Sequence, residues 1–305
     1  MTDHVVAQLT SLIERIRAHR VSVDAEARRL RPSELAAAFD NQSAHLWCLS
    51  VVGDSLVRIR LLIEQNFNFV ETLGVVAVSR YLFELSVWLK LFEIDERYGF
   101  VYYDQLIETQ KNYYHSTLRQ FHREVALLRE FDRRENERQD ALLATEQSPE
   151  DRARIIHSVA DSIDAEAARK FSIYSEHAKH NGYDFQAYLV ESNAIPSAEL
   201  ALIEIENERS NFDANILPKV SDLMLDNNGR KKRWKWNEMA KKVELQDEYD
   251  YIYAFSSKLL HATPASITTN QKNLEPEEIK IFLKYIEVKV ADVLDASRKY
   301  CLSAT

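Results

Sequence analysis

Three side chains from two distant stretches of the chain could meet in one reaction centre. Arg80 and Glu84 stand four residues apart in LGVVAVSRYLFELSVWLKLF, residues 73–92, so a helix turns both to one face. His261 ends the helical pattern of YDYIYAFSSKLLHATPAS, residues 249–266. A guanidinium can hold an anion, a carboxylate can orient it, and an imidazole can exchange a proton near neutral pH. The same groups can be structural. An Arg–Glu pair inside a helical core fixes packing register with little net gain in stability. A histidine in a last turn bonds free carbonyls and suits the helix dipole. Both readings are open on these residues alone.

At ideal helical spacing Asp250, Ala254, Ser257 and His261 share a face of small or polar groups, which would let a neighbour approach closely. Pro264 restricts Thr263 and stops the helix. A second constellation is GRKKRWKW, where Arg230, Lys231, Lys232, Arg233 and Lys235 interleave with Trp234 and Trp236. Cations with rings between them suit phosphate contacts plus base stacking, and Lys241 and Lys242 extend the charge. The alternative is a solvated loop whose tryptophans pack on the body. Glu176, His177, His180 and Asp184 offer metal-ligand chemistry, but the HExxH spacing is absent and no metal site is assigned. His115 and His122 read as surface residues. There is no P-loop, GxGxxG, GxSxG, kinase set or CxxC, so no cofactor is expected.

These residues must be positioned by helices. Glycine numbers 5 and proline 6 in 305 residues, where an average chain of this length carries roughly 20 glycines. Parallel sheets, hairpins and phosphate loops all consume glycine, so the fold class expected is all-α. The net charge of −9 opposes nonspecific binding to nucleic acid or anionic membrane over the whole surface. Cys48 and Cys301 form no motif and suggest a reducing, cytoplasmic setting. The start MTDHVVAQLT has no signal-peptide pattern. Residues 73–92 have membrane-spanning length, but Arg80 and Glu84 near the centre each cost about 2.5–3.5 kcal/mol in a bilayer. A buried core helix, and no membrane partner, is the expectation.

Helices are expected over 3–30, 46–69 and 73–92, with RPSE breaking the first and Ser33 capping a restart. From Tyr102 to about Ala144 the pattern becomes charged, and DRRENERQD (132–140) has no apolar residue. Ser148-Pro149-Glu150-Asp151 starts another helix, running to about Lys179. HNGYD (180–184) reads as a loop, Ile195-Pro196-Ser197 as a helix start, and residues 226–238 as a loop with an Asn-Asn-Gly turn. A helix from about Asp247 to His261 follows. LEPEE opens the last one, whose apolar stripe is Ile279, Phe282, Leu283, Ile286, Val290, Val293 and Leu294. This divides the chain into an N-terminal part of a bundle (1–98), a long charged antiparallel hairpin insertion (99–181), short helices with the basic loop (182–245) and the C-terminal part of the bundle (246–305).

The Arg80-Tyr81-Leu82-Phe83-Glu84 pair, and the Tyr-rich helix with Tyr249, Tyr253, Ser256, Ser257 and His261, resemble a bacterial family catalogued as domain of unknown function 5677. About a third of the chain is covered. The resemblance implies an all-helical intracellular protein with Arg80, Glu84 and His261 in one cluster, and no established activity. A looser similarity is to HEPN-type helical ribonucleases of toxin and defence systems. Those carry an Arg, then four to six residues, then a His on one helix; here Lys258 precedes His261, so the pattern departs. Two functions follow as expectations. One is a helical interaction or regulatory protein of a bacterial defence or stress system, with a protein partner or self-association through helices. The other is a metal-independent ribonuclease with RNA as partner. In it His261 is acid/base, Arg80 steadies phosphate, Glu84 orients, Ser257 lines the site and the 230–242 stretch guides RNA.

Overall fold

The computed structural model describes residues 3–30, 39–65, 72–144, 148–261 and 273–300. Helix follows helix with no strand among them, and the extended contact is a single antiparallel bridge between Leu225 and Lys231. The all-α expectation from glycine scarcity is met. The chain forms two compact units, Met1–Tyr103 with Asn215–Thr305, and Asp104–Ala214.

In the first unit, α1 (Asp3–Ala18) and α2 (Arg20–Leu30) occupy the stretch expected as one helix. The break lies at His19, whose N–H closes on the Ile16 carbonyl at 3.1 Å in a tighter turn. RPSE and Ser33 lie outside the described residues. Then come α3 (Ala44–Gln65), α4 (Thr72–Ile94) and the start of α5 (Tyr98–Leu143). α4 is the one helix among the described residues long and apolar enough to cross a membrane, and 61% of that window is buried inside the protein. It packs on α14 (Pro276–Ser297) along one side and on the 246–260 helix along another, while α2 packs on α3 and α1 on α14. Glu275 and Glu278 form a reciprocal capping box at the start of α14, with Pro276 in the first turn. Gly99 lets α5 start hard against α3: an added Cβ would stand 2.5 Å from the Ala44 carbonyl oxygen and 3.0 Å from Cys48 Sγ.

In the second unit, α5 packs against α6 (Pro149–Ala167) through Leu128, Phe131, Val159 and Ile163. Arg134 and Arg138 both reach Glu166 across that seam. Ser148 caps α6 by accepting the Asp151 N–H, as its sequence implies. α6 ends at Ala167, earlier than the charge pattern suggests. Ser172 then accepts the N–H groups of Tyr174 and Ser175 and donates to the fully buried Glu124, and α7 (Ser175–Asn181) follows. The corner expected over HNGYD narrows to Gly182, at φ +86°.

Beyond Gly182 the chain makes one long helix where short ones were expected: α8 (Tyr183–Leu189), a π-turn (Val190–Ala194) and α9 (Ile195–Asn215) run on without interruption. α9 does begin at Ile195, as expected, though it continues the π-turn and does not follow a loop; there Pro196 needs an accommodation. It has no N–H for the ladder, and its ring would crowd a carbonyl four residues back; the wider π-turn before it relieves both. The first unit resumes with a 3-10 turn (Leu217–Lys219), α10 (Ser221–Met224), α11 (Trp236–Lys242) and a helix built from α12 (Gln246–Glu248), a second π-turn (Tyr249–Tyr253) and α13 (Ala254–Leu260).

Candidate functional site around Arg80

Arg80 and Glu84 point from α4 toward the helix of residues 246–260. Arg80 Nε donates to Glu84 at 3.0 Å, Nη1 to Ser257 Oγ at 3.3 Å and Nη2 to Tyr253 Oη at 3.3 Å. The guanidinium carbon also stands 4.7 Å from the centroid of the Tyr253 ring, a cation–π contact. Tyr253 stacks on Tyr249 at 5.0 Å and meets Phe83 at 5.4 Å and Trp236 at 6.2 Å. Burial pushes the Tyr253 phenol above its ordinary pKa; Arg80 opposes the shift and Glu84 adds to it. The hydroxyl is therefore protonated at neutral pH.

The π-turn decides which side chains line up beyond Tyr253. In an ideal α-helix Asp250 lies on the face of Ser257. The extra residue of Tyr249–Tyr253 rotates the earlier part of the helix by about 100°. Tyr253, four residues before Ser257, keeps the ordinary i, i+4 place beside Arg80; the shift lines Tyr249 up on Tyr253, and Asp250 is exposed, bonded by Gln246 Nε2 at 2.9 Å. The face expected to be small and polar is therefore aromatic at that end. Ser256, next to Ser257, is fully buried, and its hydroxyl has no hydrogen-bond partner among the described residues.

Arg80, Glu84 and Ser257 thus meet; the cluster that the resemblance implied was Arg80, Glu84 and His261. His261 lies one turn past Ser257, and its backbone N–H bonds the Ser257 carbonyl at 3.3 Å. There the chain leaves helical geometry, at φ −100° and ψ 144°, and the residue is exposed. Thr263 and Pro264 lie outside the described residues. Arg80 and Glu84 are half-buried, at 26% and 29% side-chain exposure, and together carry no net charge. Three of the five guanidinium N–H donors are used within the cluster.

The basic stretch is an ordered corner. Asp226 Oδ1 accepts the N–H groups of Asn228 and Arg230, Gly229 takes φ +71°, and the Lys232 N–H bonds the Met224 carbonyl at 2.7 Å. Beyond it the rings turn in. Trp234 stacks on Trp88 at 4.2 Å, and Trp236 stands edge-on to Trp234 at 5.4 Å. Arg230, Lys231, Lys232, Arg233 and Lys235 are exposed. The tryptophans pack on the body, which was the structural alternative for this segment.

One polar group in this region escaped the reading of the sequence. Lys289, 5% exposed, bonds Glu248 at 2.9 Å and Asp292 at 3.1 Å, and the Tyr285 hydroxyl donates to Glu248 at 2.8 Å. Burial raises the Tyr285 phenol, and the Glu248 carboxylate raises it further. The signal was available: Lys289 stands three residues after Ile286 and four before Val293, within the apolar stripe of the last helix. No group of three or more His, Cys, Asp or Glu side chains among the described residues could hold a metal ion. Compared with family models, with curated proteins and with solved structures, the chain finds no match.

Proposed function

We propose that this chain is a helical interaction protein, whose second unit docks a basic amphipathic helix of a partner. One observation carries the reading. Phe185, Tyr188, Leu200 and Ile203 are 53%, 57%, 58% and 55% exposed on the outward face of the helix running from Tyr183 to Asn215. Large apolar side chains in line are uncommon on a free surface. At 100° per residue, Glu199 and Glu206 flank the Leu200–Ile203 line on one side and Glu204 and Glu208 on the other. An apolar stripe with acidic margins matches a helix with apolar knobs and Lys or Arg beside them. Covering the exposed half of each side chain contributes on the order of 1 kcal/mol apiece. In this reading the Arg80 cluster is a packing lock between α4 and the 246–260 helix, supported by its neutrality and its internal bonds.

The test compares the full chain with a Leu200→Lys/Ile203→Lys variant. A fluorescein-labelled helical peptide of leucine and lysine, and partners retained from cells after cross-linking, should bind the parent and be lost from the variant at unchanged thermal stability. Equal binding by both proteins sinks the reading.

A second reading is favoured by the meeting of Arg80, Glu84 and Ser257 one turn from His261. In it the cluster is a metal-independent ribonuclease site, with Arg80 steadying phosphate, Glu84 orienting and His261 as acid/base. His261→Ala should then abolish RNA loss while the melting temperature stays within a few degrees. No RNA loss with the parent protein removes this reading.

A further inference from the structure

The segment from Lys219 to Lys242 holds eight Lys and Arg against three Asp and Glu, in a chain of net charge −9. Two of those acids are already committed. Asp222 pairs with Arg97 at 3.0 Å, and Glu238 with Lys235 at 2.7 Å. Arg230, Arg233 and Lys241 are exposed and have no carboxylate partner among the described residues. Lys219 and Lys232 give their ammonium groups to neutral oxygens, the Gln42 side chain and the Asp222 carbonyl. Lys242 does the same with the Tyr98 hydroxyl. Positive charge is thus left over at one edge of an otherwise acidic protein.

The edge is also held in place. The Asp226 turn and the Leu225–Lys231 bridge fix the corner, and the stack of Trp234 on Trp88 pins the strand-like stretch that follows. Around that stretch the pattern alternates. Arg233 and Lys235 are exposed, while Trp234 and Trp236 are turned in. In extended chain, alternate side chains repeat every 6.6 Å or so on one side. The pleat explains why cations and tryptophans interleave here: the rings anchor and the charges face solvent. A pre-ordered row loses less freedom on binding than a flexible basic tail.

We infer that this edge binds the phosphodiester backbone of a nucleic acid, without reading its bases. Phosphates repeated along a strand meet cations repeated along an edge, and counterion release drives the association. With Trp234 stacked on Trp88 and Trp236 turned toward Tyr253, neither is offered as a base-stacking platform, so sequence preference is weak. The same inward rings leave no aromatic wedge for a membrane interface. Trp236 leads from the edge to Tyr253 and so to Arg80, which places the track beside that cluster. Binding needs no cleavage, so the track stands whether or not the Arg80 cluster acts on RNA.

The test is fluorescence anisotropy of the full chain with a labelled 20-nucleotide oligothymidylate at 50 and 200 mM salt. About four phosphate contacts give a logarithmic salt slope of about −3, hence a loss of roughly 50-fold between the two conditions. Arg230→Glu/Arg233→Glu should weaken binding at least tenfold and flatten the slope. Arg152→Glu/Arg169→Glu makes the same change of net charge on exposed sites of the second unit, and should stay within twofold of the parent. Circular dichroism checks that both variants fold. No binding by the parent at 50 mM salt, equal losses in both variants, or binding to phosphatidylserine vesicles but not to the oligonucleotide would each overturn the inference.

Discussion

The π-turn at Tyr249–Tyr253 and the one at Val190–Ala194 each add a residue to a helix, with opposite results for the side chains they steer. In the first unit the extra residue lines Tyr249 up on Tyr253, whose ring and hydroxyl meet Arg80. In the second it keeps Phe185 and Tyr188 in line with Leu200 and Ile203, all facing out. Without that residue, ideal spacing would turn Phe185 and Tyr188 away from the other two by about 100°. One device thus aligns stacked rings inside one unit and exposes apolar groups on the other. Stability should depend on the first set and binding on the second.

Four experiments test that division, from the largest effect to the smallest. Lys289→Ala strips the buried cation from the half-buried carboxylate and phenol of Glu248 and Tyr285. Removing one member of a buried pair costs about 3 kcal/mol, to be read as a drop in urea midpoint. Lys289→Met, which keeps the packing, should lose less. Tyr253→Phe removes a hydrogen bond to Arg80 and keeps the ring beneath it, so about 1 kcal/mol is expected by the same measurement. A loss above about 3 kcal/mol would show that the hydroxyl organises more than Arg80. Leu200→Lys should change stability by no more than about 0.5 kcal/mol, because the side chain mainly meets solvent. A larger loss would place Leu200 in a core and break the comparison.

The smallest effect is in pH dependence, and its sign differs between the units. Hydrogen bonds from Arg97 hold the Asp95 carboxyl below the usual range. Asp95 therefore contributes stability above an unfolded pKa of about 3.9, and loses it as pH falls through the lower folded value. Burial, with Asp132 and Asp164 nearby, pushes Glu135 up. Its contribution is present below an unfolded pKa of about 4.3 and is lost as pH rises through the raised folded value. In urea titrations between pH 3 and 7, Asp95→Asn should soften the acid-side loss, and Glu135→Gln should gain stability at neutral pH. The same response from both variants would contradict these environments.

Much of this could be read from residue types, and the exceptions share a cause. Scarce glycine implied helices throughout, Ser148-Pro149 marked a start, and LEPEE, with Pro276 and acids, marked another. Arg80 and Glu84 on one face, with Ser257 approaching from a distant helix, were legible from spacing and from the resemblance together. The identity of the third partner was not. Ideal periodicity put Asp250 beside Ser257, and a π-turn, which has no simple residue signature here, rotated it away and left Tyr253, one turn before Ser257, as the partner. Trp234 and Trp236 were ambiguous because a pleat and a binding motif have the same alternation. Only the seat on Trp88 distinguishes them. Pro196 marks the start of an α-helical stretch here too, but a widened turn, again without a residue signature, joins it to the helix before.

Three of the four tryptophans, Trp88, Trp234 and Trp236, form one continuous set of rings at the foot of the basic edge, and the fourth, Trp47, stacks separately on Tyr103 at 4.1 Å. Intrinsic fluorescence of this protein is therefore weighted toward the seating of that edge. Stacked indoles emit differently from separated, wetted ones, so lifting the corner off α4 would change both colour and intensity. The molecule carries its own optical gauge at the place where a charged ligand would press.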